Sequence, residues 1–285
     1  MTSGQTAVEV AERWARVEGV RMRYLCAGSG PALVLLHGLL GYSFSWRFNI
    51  PALARHRTVI AVDMPGAGFS ERSSALECSF RASANRLLSF LDCIGVGPFE
   101  FAGTSHGGAV AMMAAAIANQ KEKRLQSLVL VAPVNPWSDH GQRLSRLLSQ
   151  PVVSALLRGL GPRVAAAHGI LLRRLYGDPS RIAQGTLEGY SKPYRAPGGL
   201  DYALRILSTW NTDMRELEST LPKIAKIPAL LMWGSLDKAV DPASAEILRR
   251  KFHHSMVKIF DGVGHLPYEE VPEEFNRALV DFLNR

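Results

Sequence analysis

Ser105 lies in Gly103-Thr104-Ser105-His106-Gly107, a Gly-x-Ser-x-Gly pattern. A serine hydroxyl is a poor nucleophile near neutral pH until a base takes its proton, so an imidazole and a group to orient that imidazole are needed elsewhere. The pattern alone arises by chance roughly 0.17 times in a chain of this composition. Its setting carries more information: strand-type Phe99–Ala102 leads into it and a small-residue helix, Gly108–Ala118, leads out. Gly103 and Gly107 remove side chains where a sharp strand-to-helix turn forces the backbone together, and Ser105 then projects from the turn.

The carboxylate candidate is Asp237. It follows the apolar run Ala229–Trp233, just past the carboxyl end of a late strand, where open α/β sheets build their sites. The imidazole candidate is His265 in Gly262-Val263-Gly264-His265, after the run Met256–Phe260. The chain order is therefore Ser105, Asp237, His265, each after a different strand. Asp139, Asp241 and Asp261 are rival acids near the same sheet edge, Asp139 foremost because it follows the Val131 strand closely. His253-His254 closes a helix, where a cation suits the dipole, and reads as structural.

The elements that must position these groups recur as short β-type runs at Leu33–Leu36, Thr58–Val62, Phe99–Ala102, Ser127–Val131, Ala229–Trp233 and Met256–Phe260. Several are continuously apolar, as strands covered on both faces are. Helical patterns fall at Phe44–Ala54, Phe80–Ile94, His106–Asn119, Pro242–Phe252 and Pro272–Asn284. Val20–Cys26 reads as an antiparallel edge strand partnered by Arg13–Val17. The fold class is α/β: a doubly wound, mostly parallel sheet with an inserted helical cap. Residues 1–134 and 212–285 form the core domain. Residues 135–211, with helical patterns at Leu144–Leu157 and Val164–Tyr176 and no convincing strand, form the cap. Ten basic and four acidic residues give this insertion most of the net charge of +8.

These residues together resemble the α/β-hydrolase fold family over nearly the whole chain. Leu33-Val34-Leu35-Leu36-His37-Gly38 looks like the family's strand into the oxyanion loop. Asp63-Met64-Pro65-Gly66-Ala67-Gly68-Phe69-Ser70 is similar to its D-x-P-G-x-G-x-S segment, and Trp46 to the aromatic on the helix after the oxyanion loop. The resemblance implies a triad of Ser105, Asp237 and His265, with the backbone N–H groups of Leu39 and His106 as oxyanion donors. His37 is then an oxyanion-loop scaffold or a satisfied buried imidazole. Some members keep their acid where Asp139 stands. Serine at the nucleophile position argues against the family's epoxide hydrolases and haloalkane dehalogenases, which need an aspartate. Carbon–carbon bond hydrolases of the family would have Trp after the histidine, where this chain has Leu266. Carboxylic ester hydrolysis through an acyl-enzyme therefore leads, with carbon–carbon bond, thioester and lactone hydrolysis as alternatives. A slow-turnover ligand receptor is the alternative of another class.

Composition bounds the partners. The 285 residues are 47% hydrophobic and 20% charged, with mean hydropathy +0.03. No dense Lys/Arg run accompanies the positive charge, so the expected partner is a small-molecule acyl substrate and not nucleic acid. The longest apolar stretch, Gly107 to Ala118, is about 12 residues, too short to span a bilayer, so no stable membrane insertion is expected. Cys26, Cys78 and Cys93 show no metal or disulfide spacing. There is no HExxH and no GxGxxG after the first strand, so no cofactor and no metal are expected. The N-terminal stretch has neither secretory nor transit character, and the expected location is the cytoplasm.

Overall fold

The computed structural model describes residues 8–121, 124–138, 162–195 and 200–285, with the single positions 140, 150, 153 and 198. Eight strands form one sheet: β1 (Val10–Val17), β2 (Val20–Ala27), β3 (Ala32–Leu36), β4 (Thr58–Val62), β5 (Phe99–Thr104), β6 (Leu125–Val131), β7 (Ala229–Gly234) and β8 (Ser255–Phe260). Their spatial order is β1-β2-β4-β3-β5-β6-β7-β8. β1 and β2 form the expected antiparallel edge, joined by Glu18 and Gly19, both at positive φ. That turn type matches the right-handed twist of a hairpin. β2 runs antiparallel to β4 (Tyr24 opposite Val62), and every later pairing is parallel.

The continuously apolar strands feed two cores, because successive side chains of a strand point to opposite faces. Val34, Leu36, Ile60, Leu128 and Leu130 enter one core, whereas Leu33, Leu35, Val59, Val129 and Met232 enter the other. Each fully buried Leu or Val contributes about 1.5–3 kcal/mol. Helices α2 (Phe80–Cys93), α3 (His106–Lys121), α6 (Asp201–Thr220) and α7 (Ser244–Arg249) pack residues such as Leu87, Met112, Ile206 and Leu248 into the first core. Helices α1 (Ile50–Leu53) and α9 (Pro272–Leu283) cover the other face through Leu53 and Phe275, with α4 (Pro162–Leu175), α5 (Thr186–Ser191) and α8 (Pro267–Glu270) contributing Leu172, Tyr190 and Tyr268. The sheet is doubly wound, as its apolar runs require.

The single helix expected over Phe44–Ala54 is broken into a 3-10 turn, Ser43–Trp46, and the short α1. Pro51 is the reason: it has no N–H to give Arg47, and its ring would strike that carbonyl in a continuous helix. The helix expected over Pro242–Phe252 is shorter: α7 begins at Ser244 and ends at Arg249, before the turn into β8.

Between β6 and β7 the described residues form helices joined by turns and loops and contain no strand. α4 accounts for the pattern seen at Val164–Tyr176. The pattern at Leu144–Leu157 lies outside the described residues apart from positions 150 and 153. α6 runs unbroken across position 211 and buries Tyr202, Ile206 and Leu217 against the core face of α2 and α3. Among the described residues no helix is long and apolar enough to cross a membrane.

Candidate active site

The β5–α3 junction is built by exclusion. A Cβ on Gly103 would lie 2.5 Å from the Gly107 carbonyl oxygen, and one on Gly107 would lie 2.4 Å from that of His37. Only glycines let the strand turn this tightly into the helix. Ser105, between them, adopts φ +52°, a conformation that costs a non-glycine residue about 1–2 kcal/mol. The neighbours hold it there. Its N–H donates to Val131 O at 2.9 Å, and its carbonyl accepts from Gly108, Ala109 and Val134 N–H at 3.0–3.3 Å.

His265 and Asp237 meet across the loops after β8 and β7. The imidazole Nδ1 lies 2.7 Å from Asp237 Oδ2. A carboxylate can only accept, so Nδ1 carries the proton and Nε2 is left as the basic nitrogen. The other carboxylate oxygen, Oδ1, accepts from Ala239 N–H at 2.7 Å and Val240 N–H at 3.0 Å, which fixes the acid's orientation. Both side chains are buried. Asp241 instead caps its own turn through Ala243 N–H, and Asp261 accepts from Ser235. Asp139 lies outside the described residues. His253 and His254 sit at the amino ends of β7 and β8, where His254 O accepts from Ala229 N–H, far from the carboxyl edge that carries His265.

Ser105, His265, Leu39 and His106 line one cavity of about 430 Å³, while Asp237 stands behind His265. Leu171, Leu172, Leu175, Met214 and Leu266 make its wall largely apolar. Gly38 passes directly over the serine: a Cβ there would be 3.1 Å from Ser105 Cβ. A turn closed by Gly41 N–H to Gly38 O at 3.0 Å places Leu40 at φ +61°. Such a turn normally takes glycine at that position, so the loop holds strain beside the cavity. His106 is the first residue of α3, and the first N–H groups of a helix have no acceptor within it.

A buried imidazole braces this loop. His37 donates from Nδ1 to Gly38 O at 2.8 Å and accepts at Nε2 from Met64 N–H at 3.2 Å, and burial lowers its pKa. It is a satisfied scaffold histidine. His106, pushed down to about 3 by burial and by His37, also stays neutral and packs edge-on against Phe80. The Asp63–Ser70 segment is scaffold as well. Asp63 accepts from Ser43 N–H and Arg23, while Ser70 Oγ donates to Asp63 O at 2.6 Å.

Sequence reasoning missed a buried polar cluster next to the cavity. Glu269 accepts from Tyr176 Oη at 2.7 Å, from Arg47 Nη2 at 2.8 Å, and from Tyr190 Oη, which also meets Ser45 Oγ at 3.0 Å. Burial and the Glu269 carboxylate raise both phenol pKa values, so the tyrosines remain donors. Glu270 accepts backbone N–H groups from two loops. In the sequence, Glu269-Glu270 looks like an ordinary acidic pair before a Pro-started helix, and no spacing rule distinguishes it.

A family profile described as alpha/beta hydrolase fold matches residues 31–272. The chain belongs to that family of hydrolases. It is 32% identical over 283 residues, spanning 96% of this chain and 70% of the relative, to a dihydrolipoyllysine-residue acetyltransferase component of an acetoin cleaving system from Pseudomonas putida. It is 28% identical over 297 residues to monoacylglycerol lipase ABHD6 of Mus musculus, spanning 95% and 84% of the two chains. Among solved structures, a membrane phospholipase A described as a bacterial virulence factor is 26% identical with a TM-score of 0.79, covering 96% of this chain and 86% of that one.

Proposed function

We propose that the protein is a serine hydrolase that cleaves a carboxylic ester of a small molecule through an acyl-enzyme intermediate. The observation that carries this reading is the 2.7 Å Asp237–His265 pair beside the cavity that Ser105 also lines. His265 Nε2 takes the Ser105 proton as Oγ attacks the ester carbonyl. The N–H groups of Leu39 and His106 stabilise the oxyanion, each worth about 2.7–4 kcal/mol in the transition state. The carbonyl re-forms, the carbon–oxygen bond to the leaving group breaks, and His265 returns the proton to the departing alcohol. Water, deprotonated by His265, then releases the acid and restores the serine. Asp237 keeps Nδ1 protonated and stabilises the imidazolium without taking its proton.

The apolar wall favours a hydrocarbon acyl chain over a polar one, in keeping with likeness to a monoacylglycerol lipase. Each step uses side chains, the two backbone N–H groups and water. The three free thiols suit a cytoplasmic setting. The test is turnover of p-nitrophenyl esters of increasing acyl length by the wild type and by Ser105→Ala. The variant is expected to lose at least about 10³-fold in kcat. A rate near that of the wild type would sink the proposal.

A further inference from the structure

The reaction above uses no part of Glu270, yet this carboxylate is fully buried five residues beyond His265. Its Oε1 accepts from Gly264 N–H at 2.8 Å and Gly177 N–H at 3.0 Å, and its Oε2 accepts from Gly177 N–H at 3.0 Å and Asp178 N–H at 3.2 Å. Among the described residues the cation beside it is Arg181, with Nη1 3.7 Å from Oε2. One acid therefore closes two loops that are remote in sequence. Gly264 is the residue before His265, while Gly177 and Asp178 follow Tyr176 at the end of α4.

The backbones of these loops touch. A Cβ on Gly264 would lie 2.3 Å from Leu175 O and 2.4 Å from Gly177 N, and a Cβ on Gly177 would lie 2.7 Å from Gly264 N. The His265 N–H itself donates to Leu175 O at 2.7 Å. The two consecutive peptides that lead into the histidine Cα, on either side of Gly264, are thus held from the α4 side, one directly and one through Glu270. Leu171, Leu172 and Leu175 of the same helix line the cavity. Burial raises the Glu270 pKa against the pull of its N–H donors. An acid kept where it is costly to ionise marks a position whose hydrogen bonds are hard to replace.

We propose that Glu270 is a positioning residue that ties the His265 loop to the end of α4, so that the imidazole is aligned only while that helix is docked over the cavity. The proposal rests on the ester hydrolase reading and adds to it a coupling between the cavity wall and the base. Displacing the base by even about 1 Å costs on the order of 10²-fold in rate.

Two variants test it. Glu270→Gln keeps the size but turns an amide NH2 towards backbone donors, and Glu270→Asp keeps the charge but withdraws it by one methylene. With p-nitrophenyl butyrate, and activity normalised to folded protein by circular dichroism, both are expected to lose roughly 10- to 100-fold in kcat with KM little changed. Hydrogen exchange should show Gly177, Asp178, Gly264 and His265 losing protection together while Ser105 and Gly108 keep theirs. Unchanged kcat per folded molecule overturns the proposal, as does an effect carried wholly by KM or a uniform loss of protection across the chain. Wild-type protein supplies a further check if neither variant folds: exchange of Gly177 and Gly264 through separate openings also overturns it. Ser105→Ala at the wild-type rate would instead bring down the ester reading itself, a result the Glu270 variants do not mimic.

Discussion

The nucleophile and the imidazole are held by different physics. Ser105 is fixed by its own neighbourhood: Gly103 and Gly107 permit the turn, Val131 fastens the N–H, and the sheet's parallel register places the turn at the carboxyl edge. His265 is fixed from a distance. Its ring answers to Asp237, 28 residues away, and its backbone to Leu175 and Glu270. One side of the site is a rigid corner of secondary structure, and the other is a loop gripped by hydrogen bonds from three separate segments. Damage to the first side should therefore read out as lost fold, and damage to the second as lost alignment within an intact fold.

The sharpest contrast is expected at Asp237. In Asp237→Asn the side-chain oxygen can still accept from Ala239 and Val240, so the turn survives, but the amide can offer N–H to Nδ1 and hold the imidazole in the wrong tautomer. A loss of about 10⁴-fold in kcat is expected, with little change in melting temperature. Steady-state kinetics beside a thermal melt measures both. A matching fall in stability would erase the distinction between the two sides.

Gly107→Ala reverses the pattern. The added methyl would sit 2.4 Å from His37 O and 2.6 Å from Leu36 O, both backbone atoms that cannot swing away. A stability loss of about 3 kcal/mol or more is expected, seen in urea unfolding as a lower midpoint. Soluble protein that melts like the wild type would show that the corner is less rigid than its contacts imply.

The same contrast explains what could be read from the chain. The Gly-x-Ser-x-Gly turn, the strand periodicity and the covered faces are local, so the residues that create them are adjacent in sequence. Pro51 is local too. Its missing N–H and its ring set where the helix expected over Phe44–Ala54 breaks. Asp237 and His265 could be nominated because each follows a strand, but no local rule decides that their side chains meet. Glu269 and Glu270 were invisible for a stronger reason. Two adjacent glutamates ahead of a helix normally face water, and what buries these two is the packing of α4, α5 and the loop carrying Gly264, fixed only by the whole fold.

The smallest effect concerns the helix that flanks the rigid side. Asp213 of α6 is buried, accepts from Thr209 Oγ1 at 2.7 Å and from the Phe80 N–H at the start of α2, and has its pKa raised to about 6, chiefly by burial. Phe80 packs in turn against His106 and Trp210, so this contact docks α6 beside the nucleophile turn. Because the folded pKa lies above the unfolded value of 3.8, the folded state binds this proton more tightly. The contribution is most favourable below pH 3.8 and is lost as pH rises through 6, above which the buried charge is a standing cost. Asp213→Asn keeps an acceptor for Phe80 N–H, and its amide can donate to the Thr209 hydroxyl. The variant is therefore expected to exceed the wild type by about 1 kcal/mol above pH 7, once partial solvent screening is allowed for. The advantage should shrink towards pH 4, with kcat unchanged throughout. Thermal melts across pH 4–8 measure it, and an advantage that grew towards acid would mean the carboxylate is stabilised in the fold by its partners more than burial opposes it.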